Sequence, residues 1–389
     1  MSLVSLMIQE LCPAGVPRRA LGEVLQIKNG KDHKSLGEGK IPVYGSGGIM
    51  RYADSAASEG PSVLIPRKGS LGNLFFVEGP FWVVDTIFRT EINTSLVEPK
   101  FIFYQLQTMS LGDMNQAGGV PSQTQSRLNQ LLIPVPPLEV QREIVLILDN
   151  FTELEAELEA ELEARKKQYE FYRDQLLAFP EQGGVRWVPM GEVGTFFGGL
   201  SGKTKADFDN GSARFIAYTN IYNNIAVDQA RSDFGSVGEG EKQRQLMFGD
   251  ILFTGSSEGL VDVGMSSVVT IAPQGPLYLN SFSMGYRLTD VTVLNPDFAK
   301  HLFRSVGIRK QIVRTASGVT RFNVSKAKMA RVRFPIPDAE VQTEIAGVLD
   351  KFDALVNDIS IGLPAEIDAR RKQYEYYREK LLTFPEAAA

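Results

Sequence analysis

An internal repeat constrains the fold of this 389-residue chain more than any other feature. Two blocks close the first copy and return at the end of the second. These are 133–151 and 165–181, which recur at 334–352 and 370–386 with 10 identities in 19 positions and 12 in 17. The chain therefore consists of two related copies, 15–181 and 184–386. Their period is far too long for a solenoid or a propeller.

The matching blocks of the first copy indicate one long helix. Residues 138–179 contain no glycine or proline and directly follow Pro136 and Pro137, which favours a sharp helix start. Apolar residues recur mostly at alternating steps of four and three, as in a coiled-coil seam. In the ELEAELEAELEA stretch the apolar residues recur every four positions, so this part of the helix should be nearly straight. At ~1.5 Å per residue the sequence predicts a rod about 63 Å long.

The second copy repeats the apolar seam but holds four extra residues between its blocks. These include Gly362 and Pro364, which should break or kink the helix. An apolar seam must be buried, and we expect the other copy to cover it. The main seam residues are Val140, Ile144, Phe151, Tyr169 and Tyr172, then Val341, Ile345, Phe352, Tyr374 and Tyr377.

The middle segment of each copy diverges from its counterpart in sequence. Both read as strand-rich with polar, glycine-rich loops. In the first we predict a helix over 101–109; in the second we predict a strand over 213–221 and a helix over 297–307. Gene duplication explains the similar ends, but it does not explain why the middles differ. Similar ends with different middles indicate a shared attachment surface carrying two different recognition surfaces.

The net charge of −5 is the sum over segments of opposite net charge. Residues 1–137, 138–181, 182–337 and 338–389 carry net charges of +1, −7, +6 and −5. A DNA-binding surface is therefore expected on the middle segments, since the acidic helices would repel phosphate.

Several classes of protein are disfavoured by the composition. A single cysteine, Cys12, excludes an internal disulfide framework and favours a reducing cytoplasm. His33 and His301 lie far apart with no cysteine near them, which argues against a metal site built on them. No apolar run approaches the roughly 20 residues of a membrane helix. The N-terminal stretch lacks the basic residues of a signal peptide.

Nucleotide-binding motifs are incomplete. GGLSGKT at 198–204 resembles a phosphate-binding loop, but the required first glycine is Phe197. A dinucleotide fingerprint beginning at Gly45 and Gly47 fails because the third glycine is Met50. We therefore expect no catalytic residues in this chain.

The polar loops of the middle segments contain residues suited to DNA. Arg and Lys bind guanine or phosphate, and Asn and Gln pair with adenine. Each alone is typical of a solvated loop, so the clusters carry the prediction. The candidates are Lys28, Lys31, Lys34, Arg67, Lys68, Ser70, Gln123, Gln125 and Arg127, then Lys203, Lys205, Tyr218, Asn220, Ser256, Ser257, Arg314, Thr320, Arg321, Asn323 and Lys326.

With these residues in view, nearly the whole chain resembles a type I restriction–modification specificity subunit. The resemblance rests on IPVPPLEVQREI and its counterpart FPIPDAEVQTEI, and on RKKQYEFYRDQLL and RRKQYEYYREKLL. GGVPSQTQSRLNQLLIP and SGVTRFNVSKAKMARVRFP resemble the ends of that family's target-recognition domains. Asp338 replaces the second proline in the second copy.

The resemblance implies a mixed α/β (α+β) fold with a pseudo-two-fold repeat. Two globular, strand-rich target-recognition domains, 1–137 and 182–337, would be separated by two long antiparallel coiled-coil helices, 138–181 and 338–389. Each domain would read one half of an asymmetric bipartite site in double-stranded DNA.

The resemblance also implies partners. The helices would set the spacer between half-sites and, through the seam residues named above, dock two methyltransferase subunits. Two restriction/translocase subunits would join them in a complete restriction enzyme. S-adenosylmethionine, ATP and Mg²⁺ would belong to these partners, so this chain would hold no cofactor.

Two other functions stay open at this point. The chain could be a coiled-coil scaffold between two protein-binding domains, without a DNA role. It could also be a hydrolase, because GSSEG at 255–259 fits a nucleophile elbow around Ser257, with Asp297 and His301 as partners. That elbow requires a following helix, whereas the residues after it are typical of a strand.

Overall fold

The computed structural model describes residues 3–115, 119–208, 211–238, 240–358 and 360–385, without the side chain of Lys205. The chain forms two compact units. Unit 1 contains residues 1–159 and 366–389, and unit 2 contains residues 160–365. The boundary between them falls inside a continuous helix, Leu138–Leu176. Each unit therefore contains one strand-rich domain and segments from both copies of the repeated helix.

The helices and strands up to this boundary follow the chain in a simple order. The helices are α1 (Leu3–Leu11), α2 (Leu21–Val24), α3 (Pro99–Gln107), the 3₁₀ helix Leu111–Met114, α4 (Gln125–Asn129) and α5 (Leu138–Leu176). The strands are β1 (Arg18–Ala20), β2 (Leu25–Asn29), β3 (Glu38–Gly45), β4 (Gly48–Ala53), β5 (Ser58–Glu59), β6 (Ser62–Pro66), β7 (Phe75–Val77), β8 (Pro80–Val83), β9 (Ile87–Ile92) and β10 (Leu132–Pro134).

Three sheets build the domain of unit 1. They have the orders β2-β9-β6-β7, β4-β3-β8-β5 and β1-β10. All five residues of β6 are buried because its two faces pack against different apolar clusters. Val63 and Ile65 face one cluster and Leu64 faces the other, as the two-residue period of a strand requires.

The remaining elements of the chain follow α5. The helices are α6 (Met190–Val193), the 3₁₀ helix Lys205–Phe208, α7 (Tyr218–Asn223), the 3₁₀ helices Gln229–Arg231 and Val291–Val293, α8 (Pro296–Leu302), α9 (Val306–Val313), α10 (Lys326–Met329), α11 (Ala339–Asn357) and α12 (Leu363–Leu382). The strands are β11 (Arg186–Pro189), β12 (Gly194–Gly198), β13 (Ala213–Ile216), β14 (Asp233–Gly235), β15 (Ile251–Thr254), β16 (Ser256–Ser257), β17 (Ser266–Val268), β18 (Leu277–Leu279), β19 (Ser283–Leu288), β20 (Ala316–Ser317), β21 (Phe322–Val324) and β22 (Arg333–Ile336).

The domain of unit 2 repeats the topology of unit 1 despite the divergent sequence. Its sheets β12-β19-β15-β17 and β11-β22 match β2-β9-β6-β7 and β1-β10, and β14-β13-β18 matches β4-β3-β8. Among the described residues β5 has no counterpart in unit 2, and β16-β21-β20 is an additional sheet. Strand β15 repeats the two-sided burial of β6, with Phe253 in one cluster and Leu252 in another. The middle segments of the two copies therefore share most of their sheet topology, which their sequences did not reveal.

A buried glutamine joins each domain to its helix. Gln141, in the first turn of α5, accepts a hydrogen bond from the backbone N–H of Glu98 (2.8 Å) and donates to the carbonyl oxygens of Pro136 (2.7 Å) and Leu96 (3.1 Å). These bonds satisfy backbone groups at the start of α3 and α5 that would otherwise lack partners.

Gln342 makes the same bonds in unit 2. It accepts from the N–H of Asn295 (2.7 Å) and donates to the carbonyls of Pro337 (2.8 Å) and Val293 (3.1 Å). Both glutamines are buried. The glutamine shared by the two repeated blocks thus holds the end of each domain against the start of its helix.

In unit 1 the predicted seam is buried by helices from both copies. Phe151 of α5 stacks on Tyr377 of α12, with ring centroids 5.5 Å apart. One to two turns further along α5, Glu155 and Glu159 bind Arg371. The contacts run in opposite chain directions, so the helices are antiparallel.

In unit 2 the corresponding rings meet. Tyr172 of α5 stacks on Phe352 of α11 at 5.6 Å. Beneath them, His301 lies fully buried between the hydroxyl of Tyr169 (3.1 Å) and the carboxylate of Asp350 (2.6 Å). The expectation that the seam of one copy packs on the other is confirmed in each unit.

Two local predictions need correction. The strand predicted over 213–221 ends at Ile216, and α7 follows. The guanidinium of Arg304 explains this helix, because it binds the carbonyl oxygens of Ile221, Tyr222 and Asn224. The helix predicted over 297–307 is interrupted between α8 and α9, where the Ser305 hydroxyl donates to the carbonyl of Leu302 (2.7 Å).

The second long helical segment is divided into two helices. Helix α11 ends at Asn357 and α12 begins at Leu363, with Pro364 in its first turn. Gly362 donates from its backbone N–H to the carbonyl of Asp358. The break therefore lies at the residues for which the sequence predicts a kink. Among the described residues, no helix is long and apolar enough to cross a membrane.

Candidate nucleic-acid interface

Several loops of unit 1 meet at one end of its sheets. Register pairs Asn29 at the end of β2 with Phe88, and Pro66 at the end of β6 with Ile87 at the start of β9. The loops after β2 and β6 and the turn before β9 therefore lie at the same edge. The parallel strands β3 and β8 also end there, since Val84 donates from its N–H to the carbonyl of Tyr44.

Three of the sequence clusters come together at this edge. Lys68 pairs with Ser122 in an isolated bridge, and the N–H of Gln123 donates to the carbonyl of Arg67 (3.0 Å). The amide of Gln125 donates to the side-chain oxygen of Asn29 (3.1 Å), directly after Lys28. Residues about 100 positions apart in sequence thus form one surface. We call it loop end 1, comprising residues 29–34, 67–70 and 121–125.

The candidates in loop end 1 differ in how available their side chains are. Lys31, Lys34, Lys68 and Ser70 are exposed. Arg67 is half-buried over the ring of Phe88.

Three candidates of unit 1 already bind other groups of the protein. Gln123 is buried and its amide donates to the carbonyl of Pro66. Arg127 donates to the carbonyl of Met114 (2.7 Å), and Lys28 lies 3.8 Å from the carboxylate of Glu91. These side chains hold the loops in place.

Unit 2 brings together an equivalent set of loops. Thr254 at the end of β15 pairs with Ser283 at the start of β19, and Gly198 at the end of β12 pairs with Met284. Beyond them, Ser256 of β16 pairs with Asn323 of β21. We call this surface loop end 2, comprising residues 199–204, 255–259, 281–282 and 318–323.

Loop end 2 contains most of the predicted cluster of the second domain. The guanidinium of Arg321 donates to the hydroxyl of Ser256 (3.1 Å), and the hydroxyl of Tyr218 donates to the Ser256 carbonyl (2.8 Å). Around them, Ser257 is half-buried, and Thr320, Asn323 and the nearby Lys326 are exposed.

Other candidates of unit 2 have different surroundings. Asn220 is buried, and its amide binds backbone groups of Asp228 and Arg231. The ammonium of Lys203, only 5% exposed, binds Glu241 at 2.6 Å. Hydrogen bonds from Lys203, from the backbone N–H of Gly238 and from Gln243 together lower the pKa of Glu241 to about 2. Both side chains stabilise loops.

Two further candidates complete the second set. Arg314 caps the end of α9 and lines a separate cleft beside α5 and α11. The side chain of Lys205 lies outside the described residues.

The ten seam residues predicted to dock partners are largely covered within their own units. Val140, Ile144, Tyr169 and Ile345 are buried, and Phe151, Phe352, Tyr374 and Tyr377 are half-buried. Tyr172 and Val341 are partly exposed.

Apolar spacing places Leu154 and Leu355 on the seam, whereas sequence reasoning missed Phe171 and Tyr376 on the same helices. Leu154 and Leu355 occupy equivalent positions of the repeat, as do Phe171 and Tyr376, and all four are exposed. The signal for Phe171 and Tyr376 was present in the alignment of the two copies, because an aromatic residue recurs at this position off the seam. In unit 1 the exposed pair is Leu154 with Tyr376; in unit 2 it is Leu355 with Phe171.

The hydrolase hypothesis does not agree with the geometry. Gly255 and Ser257 belong to a loop and strand β16, and β17 is the next regular element. The Ser257 hydroxyl accepts from the N–H of Gly259, while His301 is occupied by Tyr169 and Asp350. Within the described part of the chain, no cluster of His, Cys, Asp and Glu is suited to a metal ion.

A duplicated strand-rich domain, each copy presenting a polar loop end and joined to long paired helices, defines a class of modular recognition proteins. Residues 13–164 and 184–369 both match the type I restriction modification DNA specificity domain. The chain therefore belongs to the family of type I restriction–modification specificity subunits.

Two relatives illustrate the similarity. The Escherichia coli EcoR124I/EcoR124II specificity subunit is 33% identical over 298 residues, covering 74% of this chain and 71% of the relative. A Haemophilus influenzae protein described as a putative type I specificity subunit is 30% identical over 361 residues, covering 89% of each chain.

Solved structures share the fold. An S subunit of a type I restriction–modification system from M. genitalium has a TM-score of 0.57 at 16% identity, covering 94% of this chain and 96% of its own. A chain from a structural study of type I complex assembly and conformational transition has a TM-score of 0.63 at 19% identity, covering 95% and 97%.

Proposed function

We propose that this chain reads a bipartite DNA site, with loop end 1 contacting one half and loop end 2 the other. The observation that carries the proposal is the convergence of distant candidate residues at the same end of two domains whose four-stranded sheets, β2-β9-β6-β7 and β12-β19-β15-β17, have the same strand order. Because the loops differ in sequence, the two half-sites would differ and the target would be asymmetric.

Charge supports this assignment of surfaces. The domain segments 1–137 and 182–337 carry net charges of +1 and +6, whereas the helical segments 138–181 and 338–389 carry −7 and −5. Exposed Lys68 in loop end 1 and Arg321 in loop end 2 are suited to phosphate or guanine. DNA would therefore meet the domains, and the acidic helices would face protein.

The helices would dock two methyltransferase subunits and set the spacer between the half-sites. The repeated exposed pairs, Leu154 with Tyr376 and Leu355 with Phe171, support two similar docking surfaces. Apolar side chains held outward at matching positions are typical of an interface core. On this proposal the chain is non-catalytic, and methyl transfer and DNA cleavage belong to its partners.

Purification of the chain with the neighbouring methyltransferase, followed by mapping of methylated adenines in the host genome, tests the proposal. We expect a gapped, two-part consensus and binding to that duplex that weakens steeply with salt. Arg67→Ala with Lys68→Ala, and Arg321→Ala with Lys326→Ala, should each lower affinity without changing the unfolding midpoint.

Arg314→Ala with Lys310→Ala is a matched control, because both residues line the cleft beside α5 and α11. This pair should leave DNA affinity nearly unchanged. Full affinity in both loop-end variants would contradict the assigned surfaces. Absence of salt-sensitive duplex binding in the wild-type complex would favour a scaffold without a DNA role.

A further inference from the structure

Phe282 is a large apolar side chain held outward in a polar turn of loop end 2. It follows Asn280 and Ser281 and is 68% exposed. The backbone on both sides is fixed. Its N–H donates to the side-chain oxygen of Asn280 (2.9 Å), and its carbonyl accepts from the N–H of Gly255 (3.0 Å).

The neighbouring residues fix this turn against two other loops. The amide of Asn280 donates to the carbonyl of Ile216 (2.9 Å), and the hydroxyl of Ser281 donates to the carbonyl of Leu200 (2.6 Å). A Cβ on Gly255 would lie 2.5 Å from the Phe282 carbonyl oxygen. Gly255, the first glycine of the GSSEG motif, is therefore required for this close approach. The packing of the turn explains why a glycine occupies this position.

The ring of Phe282 borders a cleft of about 540 Å³ with aromatic walls. Tyr218 and Tyr222 lie nearly parallel, with ring centroids 6.3 Å apart. The hydroxyl of Tyr218 binds the Ser256 carbonyl, so its ring face is the part left for a ligand. Arg321 supplies a cation at the same cleft, and Glu258 and Asp262 supply two carboxylates.

We propose that Phe282 is a wedge that presses its ring into the base stack of the half-site read by unit 2. The exposed ring and the tyrosine faces are complementary to the apolar faces of bases, and Arg321 can bind a backbone phosphate. Glu258 and Asp262 would repel phosphate, so the proposal rests on contact with the bases at this cleft rather than on its charge. Insertion buries the ring and opens one base step. The inference rests on the proposed function and adds a specificity-determining residue to it.

The counterpart of Phe282 in unit 1 makes the wedge specific to one half-site. The carbonyl of Thr86 accepts from the N–H of Arg67 (2.9 Å), as that of Phe282 accepts from Gly255. Both residues directly precede the equivalent strands β9 and β19. Because threonine is short and polar, loop end 1 lacks this apolar projection at the matching position.

The test uses the complex purified with its methyltransferase and duplexes carrying the mapped site. 2-Aminopurine, which brightens when it loses stacking, is placed at successive positions of each half-site. The variants are Phe282→Ala and Phe282→Leu. Ile271→Ala is the matched control, because Ile271 is 70% exposed in unit 2 but lies between β17 and β18, outside the cleft.

Wild-type complex should brighten the probe at one step of a single half-site, and Phe282→Ala should abolish that signal. Affinity for the site should fall about tenfold to a hundredfold in Phe282→Ala, the range expected for loss of one buried ring. Phe282→Leu should keep part of both effects, and Ile271→Ala should change neither.

Equal fluorescence and affinity in wild type and Phe282→Ala would overturn the wedge while leaving the proposed function standing. A loss of affinity without any Phe282-dependent fluorescence change would also overturn it, since the ring would then contact the DNA surface without unstacking it. Failure of the wild-type complex to bind the duplex would overturn the wedge together with the proposed function.

Discussion

The two units use the same joint and different loops. Gln141 and Gln342 make the same three hydrogen bonds between domain and helix, while the loop ends differ at nearly every exposed position. The joint involves backbone groups of fixed geometry, so only a side chain with both a donor and an acceptor of this length satisfies it. The loops are also held by internal hydrogen bonds, but these bonds involve different residues in the two units, so no common constraint keeps the loop sequences alike.

The paired helices also differ between the units. In unit 1, Asp149 accepts from Lys100 (2.8 Å) and Tyr104, and Arg371 binds acidic residues of α5. In unit 2, the equivalent Asp350 accepts from His301 (2.6 Å) and Lys300 (2.9 Å). One seam therefore relies partly on exposed ion pairs, and the other on a buried histidine.

The largest expected effect tests whether the joints are equivalent. Gln141→Leu and Gln342→Leu each leave a backbone N–H and two carbonyl groups without this partner. Each should lower the free energy of unfolding by about 2–3 kcal/mol, because unsatisfied buried polar groups are costly. Urea denaturation of the full chain measures the change. Gln175→Leu, on the exposed face of α5, is the control and should be nearly neutral.

A large loss for only one glutamine would break the comparison. The two domains would then depend on their helices to different extents, although the bonds look the same.

The sequence predicted the repeated framework better than the loops. The seam from Val140 to Tyr172 and the start of α5 followed from apolar spacing and from Pro136 and Pro137, which are local signals. Helix α7 was missed because it depends on Arg304, whose guanidinium reaches it from more than 80 residues away. Tertiary hydrogen bonds of this kind leave no periodic trace.

Only part of the candidate site was predictable for the same reason. Arg321 and Lys68 were selected by residue type, and the structure places them at the loop ends. Asn220 and Gln123 are of equally suitable type, yet both are buried with their amides engaged. Phe282 was overlooked because an isolated phenylalanine in a sequence normally indicates a core position. Exposure, rather than residue type, separates these cases.

An intermediate effect tests the difference between the two aspartates. Burial alone would raise the pKa of Asp350, but hydrogen bonds from His301 and Lys300 outweigh it and hold the pKa below its usual value. The lowered pKa of Asp350 stabilises the fold at pH values above the unfolded-state pKa of about 3.9. This stabilisation is lost as the pH falls through the folded-state pKa. Asp350→Asn should cost about 1–2 kcal/mol at pH 7 and weaken the acid dependence.

Thermal unfolding of wild type and Asp350→Asn between pH 7 and pH 3 measures this effect. The curves of midpoint against pH should converge as the solution becomes acidic. Asp149→Asn is the matched variant in unit 1. Parallel curves for wild type and Asp350→Asn would show that the carboxylate charge does not stabilise the seam of unit 2.

The smallest expected effect concerns the exposed ion pairs of unit 1. Arg371→Gln removes the bonds to Glu155 and Glu159 across the seam. Its counterpart in the repeat, Lys166, binds Glu163 on its own helix (3.2 Å), so Lys166→Gln leaves the seam of unit 2 intact. Exposed ion pairs contribute little and are screened by salt. Arg371→Gln should therefore lower the unfolding midpoint slightly in dilute buffer, and Lys166→Gln should not.

Salt distinguishes two causes of any loss in Arg371→Gln. If charge is the cause, the difference from wild type should vanish near 1 M NaCl, where the screening length is only about 3 Å. A loss that persists at high salt would instead reflect packing of the arginine stem against α5, because long side chains cover apolar surface with their methylene groups. In that case contacts other than ion pairs would hold both seams. The seams of the two units would then differ only in the buried histidine of unit 2, His301.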